Sequence, residues 1–420
     1  MHKKIGFILF AIILILLPVL TLINLPDEKK PFSENENRYL AEFPELSVEN
    51  IKDESFMTGF DSWFSDRFCG RETWISAMNN TESLLGKTEI STVYTKNDQM
   101  LQILSEYDDI GAAYDEDKIN ANIEIINNFA EKYDNIPVYF MLCPTSAGIY
   151  GDELLPKAVL DVTVDEKEMI SACYNALSNV TPINVYDALY EAKDSYIFYR
   201  TDHHWTSLGA YTAYNAAGTI LGYTPYSLSD FSVETVSTDF QGTLFSKTLD
   251  QSVTKDTIDF YTLADDSVST ALTTSNGVTE TSHGSIFFTE YLDVKDKYSA
   301  YTGQNAAVVK ATSTHAGNDT DANVDNNTDT NAGSDTDTKV AAKDENSTET
   351  GKSILIIKDS YANSMVQFFV NNYDTVTMID MRYSNMPLEN LVNVEDYDQV
   401  LFLYNCITFA DDSDLLKLGF

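Results

Sequence analysis

Five histidines occur in the 420 residues, and two stand side by side in Tyr199-Arg200-Thr201-Asp202-His203-His204-Trp205-Thr206. In an extended segment, side chains two residues apart share a face, so Asp202 and His204 are expected together while His203 points away. A carboxylate beside an imidazole holds it in the tautomer of a general base. Such a base needs a nucleophile, and SILIIKDSYAN (residues 353–363) offers one. This string predicts a short apolar strand breaking at Asp359-Ser360 into a helix. A serine there sits at the carboxyl edge of a sheet, where open α/β folds bind ligands. It also sits at a helix N-terminus, whose free N–H groups stabilise an oxyanion. Ser360 is therefore the candidate nucleophile, although Ser and Asp are also ordinary helix caps.

Further residues fall where they could meet a substrate. The backbone N–H groups near Ser360 and Tyr361 are expected to hold the oxyanion. Asn405 ends the apolar run QVLFLYN (399–405) and could add an amide donor at the same edge or serve a turn. Arg382, just past TVTMID (375–380), could bind an anionic sugar or form a surface ion pair. Trp205 could stack on a sugar face or pack as scaffold. His203 raises the question of a metal, since an Asp-His-His string also marks manganese-dependent DHH phosphoesterases. Those need further aspartate motifs, and the closest D-x-D run, Asp319-Thr320-Asp321, lies in a polar tract, so neither metal nor cofactor is expected.

These groups need a rigid scaffold. Apolar runs of strand length at residues 135–144, 182–189, 353–360, 375–380 and 399–405 alternate with helix-like stretches, including 118–133, 206–221 and 362–373. Such alternation predicts an α/β domain with a mainly parallel sheet flanked by helices. Thr206 or Ser207 would cap the helix that follows the histidines. Residues 27–92 read as a juxtamembrane and helical lead-in, with Phe60, Trp63, Phe64 and Phe68 at helical intervals. The domain itself is expected in two parts, 93–310 and 352–420. Between them, 311–351 are almost entirely Asp, Asn, Thr, Ser, Ala and Gly. That composition cannot offset the entropy of ordering, so a disordered acidic insertion is expected.

Residues 5–23 (IGFILFAIILILLPVLTLI) form an apolar run without a charge, preceded by His2, Lys3 and Lys4. A helix of that length spans roughly 30 Å of hydrocarbon. The basic residues before it favour a cytoplasmic N-terminus with the main domain outside. Residues 1–26 are thus expected to be a membrane anchor, or a signal segment whose cleavage would leave a secreted protein; no A-x-A-like site follows the run. The whole chain carries 27 Lys and Arg against 65 Asp and Glu, a net charge of −38. That field repels phosphate backbones and anionic headgroups, which excludes nucleic acid and leaves the apolar run to reach the membrane. It also favours a neutral or zwitterionic glycan over a strongly anionic one, unless Arg200 or Arg382 offsets the charge locally. Four scattered cysteines without a C-x-x-C pair exclude a zinc ribbon or thioredoxin-like site.

The strings TDHHWT, FQGTLFSKT (240–248), DKYSAY (296–301) and KDSYAN (358–363) together resemble the bacterial DHHW family. That family is related to the alginate O-acetyltransferase-like, SGNH-hydrolase-like proteins, in which Asp-x-His precedes the serine. The resemblance runs from about residue 56 to 420 apart from the insertion. It implies an SGNH-hydrolase-like domain with Ser360 as nucleophile, His204 as general base and Asp202 as orienting carboxylate. Where the usual block reads G-D-S, this chain has Lys358-Asp359-Ser360. Related systems imply a membrane-bound O-acyltransferase as the acyl-donor partner. The expected activity is O-acetylation of a cell-surface or exported polysaccharide through an acyl-serine. A carbohydrate esterase with the same triad, and a non-catalytic glycan-binding or assembly protein, are the alternatives.

Overall fold

The structure is a computed structural model that describes residues 15–21, 23, 32–33, 38–107, 109–315 and 352–419. The first half supplies helix α1 (Glu116–Lys132), strand β1 (Val138–Cys143), α2 (Ser146–Leu154), α3 (Glu166–Asn175), β2 (Thr181–Pro182) and α4 (Ser207–Leu221). There follow β3 (Phe231–Phe240), α5 (Thr243–Thr248), β4 (Asp256–Leu263), β5 (Val268–Ser275), β6 (Glu280–His283) and β7 (Val308–His315). The last part holds β8 (Ser353–Lys358), α6 (Tyr361–Phe369), β9 (Thr375–Ile379), β10 (Gln399–Asn405) and α7 (Cys406–Asp411).

Eight strands make one sheet in the order β6-β5-β7-β9-β8-β10-β1-β2. From β9 to β2 the pairs are parallel, whereas β7, β5 and β6 extend the sheet antiparallel. The sheet is therefore mixed rather than mainly parallel. The physical reason lies in composition: β8 and β10 are apolar runs buried on both faces, while β5 to β7 are rich in Thr and Ser and partly face water. Every residue of α6 is buried, and α6 packs on α4 and the adjoining strands. Strands β3 and β4 form a separate antiparallel hairpin.

Among the described residues of the lead-in, three helices stand, Val48–Lys52, Ser55–Asp66 and Arg71–Leu84. The expected boundary at 92/93 falls inside a three-stranded sheet of Glu89–Ile90, Val93–Lys96 and Gln99–Leu101, so lead-in and domain are continuous. The last of the three helices rests on α5. Ser76 donates to the Leu249 carbonyl at 3.3 Å, the Asn79 amide donates to the Thr248 carbonyl, and Ile75 packs against Leu244, Phe245 and Leu249.

Most of the apolar run at 5–23 lies outside the described residues, with 15–21 helical. No helix among the described residues is long and apolar enough to cross a membrane. Of the expected insertion, residues 316–351 lie outside the described residues, while 311–315 complete β7. Ala311 is fully buried opposite Val376, and the Ser313 hydroxyl donates to the Tyr373 carbonyl at 2.5 Å, which is why this polar end holds to the sheet.

Candidate active site

Strand β8 ends at Lys358 and α6 begins at Tyr361, leaving Asp359-Ser360 as the turn between them. The chain runs β8, β9, β10, yet β9 lies on one side of β8 and β10 on the other. Strand order therefore reverses at β8, and a crevice opens outside the carboxyl ends of the strands at such a point. Ser360 stands there, half-buried.

The loop before α4 brings the histidine to it. Ser360 Oγ lies 2.7 Å from His204 Nε2, and His204 Nδ1 lies 2.6 Å from Asp202 Oδ1. Asp202 and His204 meet through a bend rather than an extended segment, because Asp202 Oδ1 also accepts the His204 N–H at 3.0 Å. This is the self-bonding that Asp favours in turns. The other Asp202 oxygen accepts the Thr243 N–H at 2.8 Å and the Thr243 hydroxyl at 3.1 Å, from the first residue of α5. Gly242 allows that approach, since a Cβ there would stand 2.1 Å from Asp202 Oδ2. Burial alone would raise the Asp202 carboxyl. His203, His204 and these hydrogen bonds outweigh it and hold the group well below the usual carboxylate range.

Other side chains fix the serine and the imidazole relative to each other. The Tyr298 ring stacks on His204, 3.7 Å between centroids and 9° between planes, with its hydroxyl 3.0 Å from the Ser360 carbonyl and 3.1 Å from Ser364 Oγ. Trp205 Nε1 donates toward the Tyr361 carbonyl and Ser364 Oγ, both at 3.0 Å. The Tyr361 hydroxyl donates to the His203 carbonyl at 2.7 Å. Asp256 fixes the start of the loop, accepting the N–H groups of Arg200 and Thr201 at 2.7 and 2.8 Å. Tyr298, Thr243 and Gly242 stand in the DKYSAY and FQGTLFSKT strings, but spacing alone gives no sign that they converge. Asp256 carried no signal in the sequence.

The accessory candidates take other places. Trp205 is fully buried, so it is scaffold and presents no face to a sugar. The Tyr361 N–H is taken by Asp359 Oδ1 at 2.9 Å and is not free for an oxyanion. The Asn405 amide donates to Asp359 Oδ2 and Thr408 Oγ1 at 2.6 and 2.8 Å, and its Oδ1 accepts the Thr408 N–H as the cap of α7. Arg382 forms a bidentate pair with buried Asp380, at 2.9 and 2.7 Å, where Lys358 also approaches within 3.5 Å. Lys358, in place of the expected glycine, thus belongs to a buried ion network behind the turn. The four thiols are free, with Cys143, Cys173 and Cys406 buried.

Asp202, His203 and His204 place three possible metal-ligand atoms within 4.8 Å of one another. Both His204 nitrogens and both Asp202 oxygens are engaged as above, and His203 Nδ1 lies 2.6 Å from Thr243 Oγ1. The donor set is that of an internal hydrogen-bonded chain, in which partial burial and then His204 hold the half-exposed His203 below its ordinary value.

A Ser-His-Asp chain at the switch point of an α/β sheet, with Asp-x-His ahead of the serine, defines the class. The chain belongs to the DHHW family: the profile described as DHHW protein matches residues 36–101 and 89–332, ending before Ser360. A DHHW family protein from Eubacterium siraeum is similar in structure, with TM-score 0.58 and 22% identity over 78% of this chain and 94% of that one. PatB1 of Bacillus cereus is similar with TM-score 0.56 and 16% identity, over 77% of this chain and 98% of that one. A second PatB1 structure, described as carrying a sulfonyl adduct, gives 0.55 and 17% over the same shares. These likenesses establish a shared fold. No curated protein matches the chain.

Proposed function

We propose that this protein is a membrane-anchored, extracellular O-acyltransferase that acetylates a polysaccharide through an acyl-Ser360 intermediate. The observation that carries the reading is the continuous chain from Ser360 Oγ through His204 to buried Asp202, at 2.7 and 2.6 Å. His204 Nε2 takes the Ser360 proton as Oγ bonds to the carbonyl carbon of an acyl ester or thioester. The oxyanion collapses, the bond to the donor's oxygen or sulfur breaks, and His204 returns the proton to that leaving group. A sugar hydroxyl then gives its proton to His204 and attacks the acyl group, and Ser360 departs with the proton. The Ser360 N–H has no acceptor among the described residues, which suits it to the oxyanion. A sulfonyl adduct, as described for one PatB1 structure, is what a nucleophilic side chain forms with a sulfonyl electrophile.

Arg200 lies 3.3 Å from Asp98 and 3.8 Å from Asp256, and Arg382 is held by Asp380. Neither cation is spare, which favours a neutral or zwitterionic glycan. Export and anchoring rest on the apolar run at 5–23, and a membrane-bound acyltransferase is the donor this topology suits. The full chain in detergent should release acetate from an aryl acetate, with Ser360→Ala lowering the rate by at least ~10³-fold. Activity that survives this substitution refutes the reading. An added oligosaccharide should divert acetyl from water to sugar; free acetate as the sole product would make the protein an esterase.

A further inference from the structure

The imidazole of His203 takes no part in the proton transfer from Ser360, yet its neighbours decide where its own proton sits. The Thr243 hydroxyl donates to Asp202 Oδ2 at 3.1 Å, so Thr243 Oγ1 is left to accept from His203 Nδ1 at 2.6 Å. The His203 proton is thus on Nδ1, and Nε2 carries a lone pair with no donor among the described residues. The ring stays neutral, since burial and His204 hold it below its ordinary value.

His203 lines a cavity of about 40 Å³, and two more polar groups on its wall lack partners. Ser146 is only 3% exposed, yet its hydroxyl makes no hydrogen bond among the described residues. The Lys247 ammonium can only donate, so its 3.1 Å contact with Gln102 fixes the amide oxygen on that side. The Gln102 amide nitrogen keeps hydrogens to give. Buried polar groups are rarely left unmatched, so a lone pair, a hydroxyl and an amide donor around one small space mark the place of a ligand's polar atom. A hydroxyl meets all three, donating to His203 Nε2 and accepting from Ser146 and Gln102. A carboxylate has no proton for Nε2. At roughly 10–15 Å³ for each water-sized atom, the space takes about three non-hydrogen atoms, enough for a hydroxymethyl group and too few for an acetamido group. Ser146 begins α2 just beyond β1, and Asn405 on the same wall ends β10, so the cavity lies at the carboxyl edge of the sheet, as Ser360 does. Two short steps join it to the nucleophile, 2.7 Å from Ser360 Oγ to His204 Nε2 and 3.8 Å between the His204 and His203 rings.

We propose that this cavity seats a hydroxymethyl group of the acceptor sugar while another hydroxyl of that glycan, its proton passing to His204, attacks acyl-Ser360. His203 Nε2 accepts the hydrogen bond of the seated hydroxyl, and Ser146 and Gln102 donate to its oxygen. The assignment rests on the acyl-Ser360 reading above. A pyranose carries hydroxyls on every side of its ring, so one lies at Ser360 while the hydroxymethyl arm, on the same or the adjoining residue, reaches the cavity. The test gives the full chain in detergent an aryl acetate with methyl glucoside, with methyl xyloside, which lacks the hydroxymethyl arm, or with methyl glucuronide, which has a carboxylate in its place. Acetyl transfer to each is measured beside the release of free acetate, and far-UV circular dichroism confirms each variant's fold. The wild type should prefer the glucoside over both analogues by about 10- to 100-fold in kcat/KM. Ser146→Ala and Gln102→Met should each shrink that preference by roughly fivefold, through KM for the glucoside, and leave aryl acetate hydrolysis without sugar within about twofold. Equal transfer to the glucoside and either analogue, no transfer to any of the three, or a preference that neither variant moves overturns the subsite while the acyl-serine stands. Failure to hydrolyse the aryl acetate removes the acyl-serine, and the subsite with it.

Discussion

Asp202 is held from three sides at once, by the His204 N–H, the His204 ring and Thr243. Gly242→Ala forces a methyl group against its Oδ2, so ester turnover should fall by about 100-fold or more, as misplaced catalytic groups commonly produce. Tyr298→Phe keeps the ring over His204 but removes the hydroxyl from both the Ser360 carbonyl and Ser364 Oγ. Losing these contacts, about 1–2 kcal/mol, should cost roughly five- to thirtyfold in kcat with little change in KM. Asp412 shows a different effect. Its Oδ2 is buried without a partner among the described residues, and burial pushes the carboxyl up to about 6. A carboxyl raised on folding loses stability as pH rises from its ordinary 3.8 through that value. Asp412→Asn should therefore stabilise the fold at pH 8, by about 1–3 kcal/mol in urea denaturation, and have no such effect at pH 3.

Asp202, His204 and Ser360 come from elements far apart in the chain, and each depends on a neighbour for its position. Helix α5 holds Asp202 through Thr243, and the lead-in helix Arg71–Leu84 holds α5 through Asn79. Asn79→Ala should destabilise the protein by about 1–3 kcal/mol, the cost of an unpaired buried carbonyl, and lower turnover further than the fraction unfolded explains. The apolar strands β8 and β10 and the helices α1, α4 and α6 were legible because burial on two faces, or on one helical stripe, imposes a strong pattern. The run at 182–189 misled: its Thr181–Pro182 end is strand, and the chain then turns into the helix Tyr186–Glu191. Strands β5 to β7 were illegible, since Thr- and Ser-rich strands with a wet face resemble loops in composition. At the site, Asp202, His204 and Ser360 stood out by residue type. Asp256 and Tyr298 did not, because their roles arise from contacts across long sequence separations.

Acid should weaken the whole molecule through the same site. His203 is held below its ordinary 6.5 and Asp202 below its ordinary 3.8, so the unfolded chain takes up these protons first. Their stabilisation is complete above about pH 6.5 and is lost as pH falls through the native values. Urea midpoints should decline from pH 7 to 4, and His203→Gln should flatten the upper part of that decline. The acidic tract joins the fold at a remote place. Thr312 of β7 and Ser353 of β8 both lie opposite Thr375, at the amino edge of the strands, while Ser360 lies at the carboxyl edge. The flanking residues themselves, His315 and Lys352, are separated by about two strand spacings across the sheet and two to three residues along it, roughly 10–15 Å, so six Gly and Ser residues, reaching about 20 Å, can bridge them. Replacing 316–351 with such a bridge should leave aryl acetate turnover within about twofold, since the length of a connection far from Ser360 costs little. The same geometry makes the stretch 316–351 a natural site for a reporter. If the proposed anchoring holds, a fluorophore or epitope placed there would report on which side of a bilayer the domain lies, without touching Ser360, His204 or Asp202.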